Sequence, residues 1–266
     1  MGDTQQALGA APAATVVILR DHPGGIEAFM VVRHHAIDFA SGALVFPGGK
    51  VERGDADPAW AELAPLDDPR AARANIVAAA REVFEEAGLV LARRQGTQGM
   101  IDADEAQRLV ETCRASILSG AASFRDLICN EKLLLATELM VPFAHWITPE
   151  GMPKRFDTHF YLVAAPVEQL GLHDGKESVE GLWITPQQAL RDAEDGVRTV
   201  VFPTRMNLQK LARYRTVADA VAASRSTPVV TVMPRVEQTA NSHTLHIPEA
   251  AGYGVTSVTI NRPLRP

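Results

Sequence analysis

Between Arg81 and Leu89 the chain reads Arg-Glu-Val-Phe-Glu-Glu-Ala-Gly-Leu. On a helix, Glu82, Glu85 and Glu86 stand three and four positions apart and fall on one face, while Ile76, Ala80, Val83 and Ala87 fall on the other. Three carboxylates held together repel one another. A hard divalent cation such as magnesium or manganese reverses that cost, because its preferred ligands are oxygens. The same spacing also describes an amphipathic helix whose acidic side is simply solvated. The upstream run Phe46-Pro47-Gly48-Gly49-Lys50-Val51-Glu52-Arg53-Gly54-Asp55 favours the first reading, since paired glycines let the backbone approach a metal or a phosphate without a Cβ in the way.

Together these two segments resemble the Nudix box: a Gly, five residues, a Glu, seven residues, then Arg-Glu-hydrophobic-any-Glu-Glu-any-Gly-hydrophobic. Gly49 opens the match, and Arg81, Glu82, Val83, Glu85, Glu86, Gly88 and Leu89 complete it. Asp55 stands where the family has Glu, and residues 56–80 fill the place of the family's seven. The resemblance implies a hydrolase acting on the diphosphate bond of a nucleotide-containing small molecule, with Mg2+ or Mn2+ held by Gly49, Glu82, Glu85 and Glu86. It implies catalytic parts for Glu82, Arg81 and Glu85, Arg81 orienting Glu82 or its neighbours through charged hydrogen bonds. The general base is Glu82 or a carboxylate outside the box, with Glu138, Glu177 and Glu180 as the candidates. A regulatory ligand-binding module without catalysis is the reading from another class, and the intact carboxylate set argues against it.

The segment before the box bears on the substrate. Arg33, Gly42 and Phe46-Pro47-Gly48-Gly49 fall at the spacing of the signature that precedes the box in coenzyme A diphosphatases, although His34 and Asp38 replace a small residue and a second Arg there. His145-Trp146-Ile147-Thr148-Pro149 and Lys154-Arg155-Phe156-Asp157-Thr158 resemble the insertion-bearing branch that contains the peroxisomal coenzyme A diphosphatase, a likeness running from Ala13 to Leu211. The substrate contacts it implies are Arg33, Phe46, Lys154 and Arg155, the last two replacing the missing phosphate contacts. The alternative is a structural ion pair between Arg155 and Asp157, with Trp146 in the core. Coenzyme A or an acyl-coenzyme A is the expected substrate. ADP-ribose, NADH and other nucleotide pyrophosphates are the alternatives.

Positioning these residues requires a framework. Thr15–Leu19 and Ala28–Arg33 read as strands joined by a turn at Asp21–Gly25, and Ala43–Phe46 as a short third strand ended by Pro47-Gly48-Gly49. Asp55–Pro69 reads as loop with a helical turn near Trp60. The box helix is expected from Asp68 and Pro69, a cap and a first-turn residue, to a stop at Gly88. Helices are expected at Asp102–Leu118, Ser123–Ala136, Pro186–Asp195, Arg205–Ala212 and Val217–Ser224, and strands at Phe143–Ile147, Thr158–Ala164 and Gly181–Ile184. The fold class is α/β: a Nudix α/β/α sandwich with a mixed sheet, a helical insertion and a C-terminal β-prone extension. The expected divisions are a flexible tail over 1–12, a hydrolase domain over 13–225 and the extension over 226–266. Within the domain, 56–80 is the lengthened box loop and helix. The 92–140 segment is a helical insertion over one side of the cleft, its Leu109, Phe124, Leu127 and Leu133 available to line a pocket for a long substrate arm.

Bulk properties remove several classes. With 46% hydrophobic and 22% charged residues the chain can bury a core, so wholesale disorder is excluded. A net charge of -6 gives no basic surface for nucleic acid, so none is expected as partner. No apolar run approaches the ~20 residues of a bilayer span, no membrane partner is expected, and the N-terminus is no secretory signal. Cys113 and Cys129 read as buried free thiols, which suits a cytoplasmic location. A homodimer is compatible with all of this.

Overall fold

The computed structural model describes residues 9–32, 42–66, 72–166, 169, 181–239 and 241–260. The alternating apolar residues of the first segment form β1 (Ala11–His22) and β2 (Gly25–Val32), an antiparallel hairpin. β3 (Leu44–Val45) extends it beside β2, and β4 (Gly48–Lys50) pairs antiparallel with the first half of β1. Further along lie the short helix α1 (Trp60–Leu63), the box helix α2 (Arg73–Glu82), β5 (Ala92–Arg94), α3 (Ala103–Leu118), α4 (Phe124–Asn130) and β6 (Leu133–Leu135). β7 (Val141–Ile147) and β8 (Phe156–Ala164) form a second hairpin, and β8 runs parallel to β1 over nine register positions, from Ala11 opposite Phe156 to Leu19 opposite Ala164. Then come β9 (Gly181–Ile184), α5 (Pro186–Glu194), α6 (Phe202–Leu211), α7 (Val217–Ser226) and four short strands: β10 (Thr231–Val232), β11 (Arg235–Gln238), β12 (His243–His246) and β13 (Ser257–Ile260).

The main sheet is eight-stranded and mixed, ordered β10-β7-β8-β1-β2-β3, with β4 on β1 and β9 on β2. Strand periodicity sends successive residues of β1 to opposite faces. Ala14, Val16 and Ile18 enter a core with α2, α3 and α4, whereas Val17 and Leu19 enter a second core with α5, α6 and α7. The arrangement is the expected α/β/α sandwich. In the second core the Trp146 indole donates to the Tyr253 hydroxyl at 2.9 Å, which in turn donates to Asn207 at 2.8 Å.

Local chemistry explains most helix starts. Asp102, Ser123, Thr185 and Thr216 each accept a hydrogen bond from the backbone amide three residues on, satisfying a donor that has no partner inside the helix. The box helix differs from expectation. It begins at Arg73, after Ala72 in an extended conformation with no side-chain cap, and Asp68 and Pro69 lie outside the described residues. Its end agrees, Gly88 taking the left-handed conformation at φ 61°.

Other boundaries also change. Ala11 and Pro12 belong to β1 rather than to a tail, and Gly48-Gly49 form a strand rather than ending one. The helix expected over Ser123–Ala136 stops at Asn130, and Leu133–Leu135 instead pairs with Ala92–Arg94. The extension does not separate at 226, because β10 joins the main sheet beside β7, while β11, β12 and β13 form the small appended sheet. The insertion's Leu109, Phe124, Leu127 and Leu133 are buried in the first core, where each such side chain contributes roughly 1.5–3 kcal/mol, so they are not free to line a substrate arm. Cys113 is half-buried, Cys129 is exposed, and both are free thiols.

Candidate active site

The box helix lies across β1 and β4, and its last residues, Val83–Ala87, widen into a π-turn, a form concentrated at functional sites. Arg81 sits beneath the carboxylates at 6% exposure. Its Nε and Nη2 donate to the two oxygens of Asp55 at 3.1 and 2.9 Å, Nη2 also to the Lys50 carbonyl at 2.9 Å. Nη1 donates to Glu82 Oε1 at 2.8 Å and Glu85 Oε2 at 3.3 Å. This planar fork joins the loop after β4 to the helix, a geometry a lysine cannot reproduce. Asp55 therefore does, with a shorter side chain, what its place in the box asks of a glutamate. The Glu52 amide donates to it, fixing it further.

The glycines complete the cradle. The Gly48 amide donates to Glu86 Oε2 at 2.9 Å. A Cβ on Gly49 would overlap the Glu82 carboxylate, so the backbone of β4 and the carboxylates share one space. The insertion contributes as well: Arg114 on α3 donates from Nε and Nη2 to the Glu85 carbonyl at 2.8 and 2.5 Å, holding the widened turn.

Electrostatically the site is overloaded with negative charge. Burial, and then the charges of Glu86 and Glu85, push the Glu82 carboxyl up to about 7 against the pull of Arg81. Burial raises Glu85 too, again opposed by Arg81. Burial disfavours the Arg81 charge, but the hydrogen bond to Asp55 and the charges of Glu82, Asp55 and Glu85 outweigh it and raise its pKa. Four carboxylates around one guanidinium make a donor set suited to a hard dication, which would restore Glu82 to its ionised form.

The remaining expected residues are dispersed. Phe46 is 3% exposed in the second core, so its side chain supports the fold and is not a substrate contact. Arg33, Glu177 and Glu180 lie outside the described residues. Glu138 pairs with Arg93. Lys154 is exposed in the turn between β7 and β8. Next to it, Arg155 donates to the Thr148 and Pro149 carbonyls at 3.1 and 3.0 Å, bracing that turn. Trp146 is core, and Asp157 bonds His145 at 2.5 Å. Asp55 was signalled by its place in the box, whereas Arg114 carried no signal in the sequence.

The family model described as the NUDT19 Nudix domain matches residues 69–211. Nudix hydrolase 7 of Caenorhabditis elegans is 29% identical over 189 residues, covering 70% of this chain and 56% of that protein. The acyl-coenzyme A diphosphatase NUDT19 of Xenopus laevis is 21% identical over 228 residues, covering 71% and 60%. The chain thus spans less than two thirds of the length of either relative. Among solved structures, a NUDIX hydrolase from Alicyclobacillus acidocaldarius superposes with a TM-score of 0.60 at 27% identity, over 80% of this chain and 96% of that one.

Proposed function

Because the chain belongs to the Nudix family, in the branch described by the NUDT19 Nudix domain, we propose that it is a metal-dependent hydrolase of a nucleotide diphosphate, with coenzyme A or an acyl-coenzyme A as substrate. The observation that carries the hydrolase reading is the single unit formed by Arg81, Asp55, Glu82 and Glu85 against the backbone of β4. The buried, acidic, oxygen-only donor set fits Mg2+ or Mn2+, which Glu82, Glu85, Glu86 and the Gly49 carbonyl would hold. Bound there, such an ion neutralises the diphosphate and polarises phosphorus toward attack by water.

The chain's own groups divide the remaining work. Arg81 fixes the rotamers of Glu82 and Glu85 through charged hydrogen bonds, and the Gly48 amide fixes Glu86. Glu82, the most buried of the three, is the base of choice among the described carboxylates, since Glu138 is held by Arg93. Cleavage of coenzyme A in this way yields 3′,5′-ADP and 4′-phosphopantetheine, one water being consumed. The substrate assignment is supported by the likeness to the acyl-coenzyme A diphosphatase and by the spacing of Arg33, Gly42 and Phe46–Gly49. Lys154, exposed in the β7–β8 turn, is the cation we assign to the 3′-phosphate, with Arg155 bracing the turn beside it.

The test compares kcat/KM for coenzyme A, dephospho-coenzyme A, ADP-ribose and NADH with Mg2+ or Mn2+. Coenzyme A should be preferred, and Lys154→Ala should lower its constant toward that of the dephospho form. Faster turnover of ADP-ribose or NADH would overturn the substrate and leave the hydrolase; no turnover of any would overturn both.

A further inference from the structure

A second group of metal-ligating side chains lies outside the carboxylate cluster. His145 on β7 and Asp157 and His159 on β8 each offer one ligand atom, and these atoms lie within 4.8 Å of one another. Strand register produces the grouping. His145 stands opposite His159, and Asp157, two residues before His159, points to the same face.

The distances suit a cation. Asp157 Oδ1 is 2.5 Å from His145 Nε2 and 3.9 Å from His159 Nε2. Ligands arranged tetrahedrally around zinc at its usual bond lengths are about 3.3 Å apart, so shifts of well under 1 Å would admit the ion. A His–Asp hydrogen bond alone would account for His145 and Asp157. It leaves unexplained why His159, stacked on His145 at 4.0 Å, turns its Nε2 toward the same oxygen.

The surroundings agree. His145 Nδ1 is 2.8 Å from the Thr231 hydroxyl of β10, the kind of outer partner that orients a ligating histidine and leaves Nε2 for the metal. His145 is enclosed, while Asp157 and His159 are partly open, which provides an entry path and room for a further ligand. Gly49, Ala14, His159 and His145 occupy one row across β4, β1, β8 and β7. The group therefore shares the sheet face of Glu82 and lies two strands, about 10 Å, from Gly49.

We propose that His145, Asp157 and His159 form a second divalent-cation site, taking zinc or a borderline ion of the same class and keeping one coordination position open. Two imidazoles and one carboxylate select such an ion, whereas the all-oxygen cluster at α2 selects magnesium or manganese. One sheet face thus carries two sites sorted by donor chemistry, and the inference does not depend on which substrate the enzyme cuts.

The experiment is zinc titration of the chelator-stripped full chain by calorimetry, with bound metal counted by elemental analysis. In a Glu86→Gln background with excess Mg2+, one equivalent of zinc should still bind. His159→Asn, which changes the most exposed of the three, should weaken zinc at least tenfold and leave Mg2+ binding unchanged. Thr231→Val should weaken zinc about tenfold through loss of the outer partner. Cobalt in place of zinc should show a tetrahedral absorption band that His159→Asn and Asp157→Asn each abolish. Failure of zinc to bind, or undiminished binding in both of those variants, would overturn the site.

Discussion

Of the two buried polar networks that flank the central sheet, the one beneath α2 is charged and the one beneath α6 is neutral. Arg81 serves Asp55, Glu82 and Glu85 on the first side, leaving more carboxylate than guanidinium. Trp146, Tyr253 and Asn207 complete one another on the second, and Tyr253 stays protonated because burial raises its pKa. A neutral network of this kind holds a core together without outside help. A buried excess of like charge is costly unless a cation completes it, so its persistence marks the side where the protein acts rather than merely folds.

The contrast can be broken most severely at Arg81. Arg81→Ala should cost about 3–5 kcal/mol in urea unfolding of the metal-free protein, since it strands buried carboxylates. Native-like stability there would mean that the charged side is not one unit. Next, Glu86→Gln should lower kcat/KM at saturating Mg2+ by about a hundredfold or more, in line with the loss of a group that stabilises transition-state charge. Its metal-free stability should hold or rise, because one repulsive charge is gone. Activity close to native would remove Glu86 from the metal site.

The third expectation concerns pH. The Glu82 carboxyl rises from its ordinary 4.5 to about 7, so between those values the unfolded chain releases a proton that the folded chain retains. Folded protein then binds more protons, and stability must fall as pH rises through that window, by on the order of 3 kcal/mol. Unfolding in chelator at pH 4.5 and 8 measures this; Glu82→Gln should flatten the difference, and a native slope in that variant would refute the assignment. Smallest is the change on the neutral side. Tyr253→Phe should cost about 1–2 kcal/mol by leaving Trp146 and Asn207 short of a partner, with kcat/KM unmoved. Lost activity at native stability would show that the two sides are coupled.

Much of the charged side was legible because it is local. Glu82, Glu85 and Glu86 follow from helical spacing alone, and Asp55 stood at the right place in the box. What could not be read depends on distant pairing. The Gly48 amide meets Glu86 only once β4 pairs with β1, and Arg114 reaches the Glu85 carbonyl only because α3 packs over the turn. The grouping of His145 with His159 requires the register of a hairpin whose turn could have closed otherwise. Local signals also misled where packing decided: Leu133–Leu135 suits helix or strand equally, and its pairing with β5 settles the matter. Phe46 sits beside the glycines of the cradle in sequence, yet its side chain points to the other core.

Residues Thr231 and Val232, only two positions long as a strand, lie beside β7 at the end of the main sheet. A seven-residue strand without that cover would present unpaired amides and carbonyls in a row, a template on which another copy could add its own strand. The short β10 thus works as a guard against self-association. A nick or truncation between α7 and β10 should first be noticed as aggregation in light scattering, with the core still intact.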